Sequence, residues 1–343
     1  MGRLIVRAGV VVGIAAAILL SSVPARAQQV ADFYRGKTLR MLIGYGPGGG
    51  YDIYGRLVAE FLPRHLPGNP TIVAQNMPGA GSFLAAKYMY DVAPKDGTVF
   101  GSLAQTLAVD TMTNKNAKLD VANMPYIGRL VTNIDTGAAL SRTGIESFDD
   151  VRAKQYNVGA SGGGSTTVLF PTALKTYAGA KFKLVRGYHG TIDILLAMER
   201  GEVDIVGAYG LPGMLASHPG WVHRGEATIL YQAALKRHRL LPNVPTLPEL
   251  AQSDEGRQVL HAAASTGEVG RSILTTPGGV PPERLGALRS AFRAMLKDPD
   301  FLAACEKRNL MVDGAAGEEI DEIVRETLRL PQAVAEKIGQ MMQ

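Results

Sequence analysis

Two glycine-rich runs are the places in this chain where residue type and spacing could support chemistry. The first, from Gly44 to Asp52, reads Gly-Tyr-Gly-Pro-Gly-Gly-Gly-Tyr-Asp and satisfies G-x-G-x-x-G at Gly44, Gly46 and Gly49. That pattern lets a backbone approach a dinucleotide pyrophosphate, but it also needs an acidic residue about 20 positions on, at the end of the next strand, to hold the ribose. Here that strand ends at Gln75 and Asn76, so the dinucleotide reading fails. A phosphate P-loop needs Gly-Lys-Ser/Thr, and no lysine follows either run. The second run, Gly159-Ala160-Ser161-Gly162-Gly163, satisfies G-x-S-x-G, the nucleophile elbow of serine hydrolases. Asp193, Asp204, His218 and His223 follow in the order Ser, Asp, His. A hydrolase built on Ser161 is therefore one alternative, although no residue pattern marks an oxyanion loop. The other is that Ser161, Ser165 and Thr166 donate hydrogen bonds to a ligand or cap a helix.

The elements around these runs favour a ligand. Leu39 to Ile43 reads as a buried strand, and from Asp52 onward Ile53, Leu57 and Phe61 recur at helical spacing. A strand at Thr71 to Ala74 leads into Asn76-Met77-Pro78-Gly79-Ala80-Gly81-Ser82, then a helix from Phe83 to about Tyr90 and a strand from Val99 to Ser102. The unit recurs with strands at Tyr156 to Gly159, Phe182 to Val185 and Val203 to Val206. Helices ending near Tyr177 and Arg200 fall between them. Later, Ile273-Leu274 reads as a strand, Pro282 opens a helix, and Glu318 to Glu322 starts a last one. Strands alternating with helices predict an α/β fold with parallel sheets. The glycine loops all lie at the carboxyl ends of strands, where such sheets bind ligands. A glycine-rich turn opening a helix presents free N–H groups and the positive end of the helix dipole, which suits an anion.

Arg3 and Arg7, the apolar run Ala8 to Leu20 and the Ala25-Arg26-Ala27 site together read as a secretory signal peptide over residues 1–27. Cleavage would start the mature chain at Gln28, remove three arginines and lower the net charge from +5 to +2. That charge argues against a nucleic-acid partner. Apolar residues make up 46% of the chain, enough for ordinary cores, and the length suggests two domains. Cys305 is the only cysteine; its apolar helical context predicts a buried small hydrophobe rather than a nucleophile. Nothing in the sequence calls for a metal or cofactor.

Several segments resemble the solute receptors of tripartite tricarboxylate transporters, also called Bug proteins. Their P-G-G-x-x-D loop is matched by Pro47 to Asp52, their N-x-P-G-A-G loop by Asn76 to Gly81, and their P-D-G-type turn by Lys95-Asp96-Gly97-Thr98. "NVGASGGGSTT", "VRGYHGTIDILLAMERGEVDI" and "LTTPGGVPPERLGALRSAF" are similar to further family segments, so the likeness covers nearly the whole mature chain. The resemblance implies a two-lobed, type II-like periplasmic binding protein of the Venus-flytrap kind, with a parallel-sheet core in each lobe. Lobe 1 would comprise 30–136 plus 247–343 and lobe 2 137–246, with two chain crossings as the hinge. It implies a monomer that takes a small organic acid to the membrane components of such a transporter, or to a sensor-kinase ectodomain.

The resemblance also implies a site. Gly48, Gly49, Tyr51, Asp52, Gly79, Ala80 and Gly81 would surround a proximal carboxylate held by backbone amides and waters, with Asp52 holding loop amides rather than ligand. The far end would meet Ser161, Ser165, Thr166, Tyr188, His189 and the loop after Val206. Here the chain departs from the family: Gly187-Tyr188-His189-Gly190 replaces Pro-Tyr-Lys-Gly, and Gly207-Ala208-Tyr209 replaces a segment leading to Asp-Asn. With no lysine or arginine in the other loops, the far group would either pack on Tyr188 and Tyr209 or be an anion facing a protonated His189.

Overall fold

The computed structural model describes residues 28–113 and 118–342; the expected signal peptide lies outside the described residues. The strands of the first stretch are β1 (Thr38–Ile43), β2 (Thr71–Asn76), β3 (Val99–Ser102) and β4 (Tyr126–Arg129). Those of the middle are β5 (Asp135–Leu140), β6 (Tyr156–Gly159), β7 (Phe182–Val185), β8 (Ile205–Gly210) and β9 (Ala227–Ala233). The chain then adds β10 (Ser272–Thr275) and β11 (Ala315–Ala316). They form two sheets, one in the order β11-β4-β10-β3-β1-β2 and one in the order β7-β6-β8-β5-β9.

Each sheet has a parallel core, β2-β1-β3 in the first and β7-β6-β8 in the second. Leu39, Met41, Leu42 and Ile43 of β1 are all buried, as in a strand covered on both faces. The helix Gly50–Phe61 seals that strand with Tyr51, Tyr54, Leu57, Val58 and Phe61, while Ile53 stays half-buried. Antiparallel strands complete both sheets: β10 pairs with β3 and β4, and β5 with β8 and β9. The expected strand at Val203 to Val206 lies slightly later, at β8. Asp204 stands just ahead of it, and its carboxylate accepts the Asn157 N–H at 2.8 Å.

The chain passes from the first sheet to the second between β4 and β5 and returns just before β10. These two crossings lie side by side: Arg271 N donates to Val131 O at 2.9 Å, and Leu130 N donates to Arg271 O at 3.0 Å. The apolar core around the second sheet takes in Leu247, Leu250, Val259, Leu260, Ile338 and Met341, positions that the sequence division places with the first lobe. Glu318 to Glu322 open the helix Gly317–Thr327, and a further helix, Gln332–Met342, follows it. This last helix brings the chain across to the second sheet once more, because Ile338, Met341 and Met342 are its buried face. Cys305 is buried in the first core, and burial pushes its thiol up to about 11. Among the described residues no helix is long and apolar enough to cross a membrane.

Candidate functional site

The loop after β1 is held from beneath by Asp52. This carboxylate is buried, accepts the Gly48 N–H at 2.9 Å and the Asn76 amide at 2.7 Å, and pairs with Arg56 at 2.9 Å. Arg56 in turn donates to Asn76 Oδ1 at 2.7 Å, and Asn76 to Tyr45 O at 2.9 Å. Burial alone would raise the Asp52 pKa, but the bonds from Arg56, Gly48 and Asn76 outweigh it and hold the carboxyl below its ordinary range. Gly48 sits at φ +84°, a conformation that favours glycine. Its N–H is engaged by Asp52, whereas Tyr45, Gly46, Gly49, Gly50 and Tyr51 line the space in front of the loop.

That space is a cavity of ≈ 30 Å³ between the two sheets. Three helices begin at its wall: Gly50–Phe61 with Gly49 as N-cap, Thr166–Tyr177 with Ser165 as N-cap, and Thr191–Glu199 with Gly190 as N-cap. None of the three caps uses a side chain to satisfy the first-turn amides. Three helix N-termini, with their positive dipole ends, therefore meet at one cavity, an arrangement that suits an anion. Tyr45 and Tyr51 stack along one side, their ring centroids 4.6 Å apart.

A second cavity of ≈ 140 Å³ adjoins the first across Tyr45 and Ser161. Gly79, Ala80 and Gly81 line it from the first sheet's side, and Gly162, Tyr188 and His189 from the other. The two sides touch. Gly46 N donates to His189 O at 3.2 Å, and a Cβ added at Gly81 would fall 2.3 Å from Gly163 O. The loops are thus closed on each other.

The serines of the second run form a hydroxyl cluster instead of a nucleophilic elbow. Ser161 Oγ donates to Ser165 Oγ at 2.8 Å and lies 2.9 Å from Thr167 Oγ1, whose hydroxyl also accepts the Ser161 N–H. No imidazole is a hydrogen-bond partner of Ser161 among the described residues. His218 instead lies 2.9 Å from the Tyr209 hydroxyl, with its pKa lowered by burial, and Asp193 accepts the His189 N–H. Ser161 therefore lacks the base that would activate it.

The expected site residues are only partly brought together. Gly49, Tyr51, Ser161, Ser165 and Thr166 line the first cavity; Gly79, Ala80, Gly81, Ser161, Tyr188 and His189 line the second. Gly48 and Asp52 stand behind the wall. Tyr209 does not reach either cavity: successive strand side chains point to opposite faces, Ala208 takes the cavity side, and Tyr209 packs edge-on against Trp221 with its hydroxyl donating to Gly213 O. The tyrosine wall is therefore Tyr188 alone.

Sequence reasoning missed the two charged groups of the first cavity, Asp135 and Arg271. Asp135 accepts from Gln105 at 3.3 Å, and burial raises its pKa although Arg271 opposes the shift. Arg271 lies over the Tyr51 ring, 3.9 Å from its centroid. Asp135 opens β5 at the end of one crossing and Arg271 stands in the other, just before β10, where no motif marks them; the signal is topological.

The model of the family described as "Tripartite tricarboxylate transporter family receptor" matches residues 55–340. The chain belongs to that receptor family. As a receptor it is a binding protein and not an enzyme. A Cupriavidus necator relative described as "UPF0065 protein in gbd 5'region" is 28% identical, covering 98% of this chain and 97% of that protein. The structure of the periplasmic binding protein BugD superposes with a TM-score of 0.72 at 20% identity, over 90% of this receptor and 98% of BugD. MatC from Rhodopseudomonas palustris with bound malate gives 0.68 at 18% identity, over 90% of this receptor and 99% of MatC. These likenesses establish the two-lobed α/β fold of periplasmic binding proteins for this receptor.

Proposed function

We propose that this receptor captures a small organic di- or tricarboxylate in the closed space between its two sheets and delivers it to the membrane components of a tripartite transporter. The observation that carries the reading is the convergence of three uncapped helix N-termini on one cavity. Each supplies amides and a partial positive charge to an anion without side-chain selectivity. The proximal carboxylate takes the Gly49 and Gly50 amides; Ser161, Ser165 and Thr166 add hydroxyl donors, and Tyr188 and His189 close the neighbouring chamber. The sheets act as cores of two lobes, and the paired crossings form the joint between them. Supporting the choice of ligand, MatC is described with malate bound. The protein works in the periplasm as a monomer after cleavage following Ala27; N-terminal sequencing of periplasmic material should begin at Gln28.

The test is a thermal-shift screen of mono-, di- and tricarboxylates on protein starting at Gln28. A ligand that binds only the folded state raises the melting temperature, by an amount that grows with the logarithm of its concentration over Kd. We expect such a shift from at least one polycarboxylate and no turnover of it. No shift across the panel would overturn the carboxylate assignment.

A further inference from the structure

Arg271 and Asp135 are the charged side chains of the first cavity, and they are provided for very differently. Asp135 is buried and has neutral neighbours: Gln105 donates to it at 3.3 Å, and Asn133 donates to Gln105 at 2.9 Å. Arg271 is also buried; among the described residues no carboxylate is in ion-pair contact with it, and Asp135 acts on it only through the field across the shared cavity. Its guanidinium face rests on Tyr51, 3.9 Å from the ring centroid. Stacking of this kind uses the face of the guanidinium and leaves the N–H edge for other partners. Space is kept for it on two sides by absent side chains: a Cβ at Gly50 would stand 3.2 Å from Nε, and one at Gly210 2.8 Å from Nη2.

A buried guanidinium without a paired anion is costly, and its five fixed donors match a carboxylate bidentately. We propose that Arg271 is the specificity-determining residue of this receptor: it grips a second anionic group of the ligand while the helix N-termini hold the first. The inference rests on the carboxylate reading above and narrows it to compact dianions over monoanions. The backbone of Arg271 is bonded on both sides to the opposite crossing, through Val131 and Leu130. Ligand charge is therefore read at the joint between the lobes, and dianions are the ligands that hold it closed.

Calorimetric titration with matched probes tests this: malate against 3-hydroxybutyrate, and succinate against butyrate, each with wild type, Arg271→Gln and Arg271→Lys. Wild type should prefer the dicarboxylate of each pair by about 30-fold or more, the worth of a charge-assisted bidentate contact. Arg271→Gln should lose most of that preference with monocarboxylate affinity within about threefold of wild type, and Arg271→Lys, which keeps the charge without the fork, should recover part of it. If Arg271→Gln does not fold, as judged by its ligand-free melting transition, Arg271→Lys alone carries the comparison. Equal losses for both members of a pair, or an unchanged preference, would overturn the role of Arg271 and leave the carboxylate reading standing. Wild type that binds neither these four acids nor any polycarboxylate of the thermal-shift panel would overturn both, and wild type that binds only larger polycarboxylates would overturn the compact-dianion reading alone.

Discussion

The loops Gly46 to Asp52 and Gly187 to Asp193 use one device. In each, a backbone N–H in a glycine-rich turn donates to an aspartate four residues on, in the first turn of the following helix: Gly48 to Asp52 at 2.9 Å, and His189 to Asp193 at 3.1 Å. What surrounds the aspartate differs. Asp52 is buried and further tied to Arg56 and Asn76, whereas the His189–Asp193 bond is exposed to solvent. The first loop is therefore fixed, as the proposed anion seat requires. The second is held instead by its contact across the cleft, where Gly46 N donates to His189 O at 3.2 Å.

The largest test of this contrast is Gly49→Val. Gly49 adopts φ −78° and ψ 169°, open to any residue, and an added Cβ meets nothing within 4 Å. The apo melting temperature should hardly move, but binding of the best acid from the screen should fall by about 100-fold or more, the loss of two charge-assisted bonds. Retained affinity in calorimetry would remove the fixed seat from the account.

Next in size, Asp52→Ala should cost about 1–3 kcal/mol in urea unfolding, since it strands the Gly48 N–H and the Asn76 amide, and should weaken binding indirectly. The pH behaviour has a definite sign. A carboxyl whose folded pKa is depressed contributes stability above its unfolded value and loses it as pH falls through the folded value. The wild-type advantage over Asp52→Ala should hold above pH 3.8, the unperturbed value, and shrink below it. An advantage that grew on acidification would contradict the network. Asp193→Ala, the same change in the exposed loop, should cost less than about 0.5 kcal/mol; parity between the two variants would erase the distinction drawn here.

The smallest effect concerns pH and affinity. Asp135 faces Arg271, Gln105, Asn133 and Thr166, and burial raises its pKa. A bound anion favours its protonated form, so Kd should rise as pH climbs through its titration, by a few-fold. Asp135→Asn should flatten that profile and tighten binding at neutral pH, while His189→Gln leaves it unchanged. A profile abolished by His189→Gln and kept by Asp135→Asn would move ligand recognition to the exposed loop.

Much of this was legible in the chain because glycine and apolar spacing are local signals. β3, β6 and β7 fall where the sequence places them, and Asp52 holds a loop amide as expected. What was hidden depends on pairing across the fold. The direction of β5 and β10 follows from the crossings, not from their composition. Arg271 precedes an ordinary apolar strand, Ser272–Thr275, and only the return crossing brings it beneath Tyr51. The face of Tyr209 was a matter of register: one position decides whether a strand residue meets ligand or core.

One practical point follows from the last helix. Gly164, in the loop between Ser161 and Ser165, donates its N–H to Met342 O at 3.1 Å, and a Cβ at Gly163 would fall 2.6 Å from the same oxygen. A change at Met342 would therefore act on an atom that props a cavity-lining loop. A fluorescent reporter placed on the exposed face of this last helix is expected to double as a sensor of cavity occupancy.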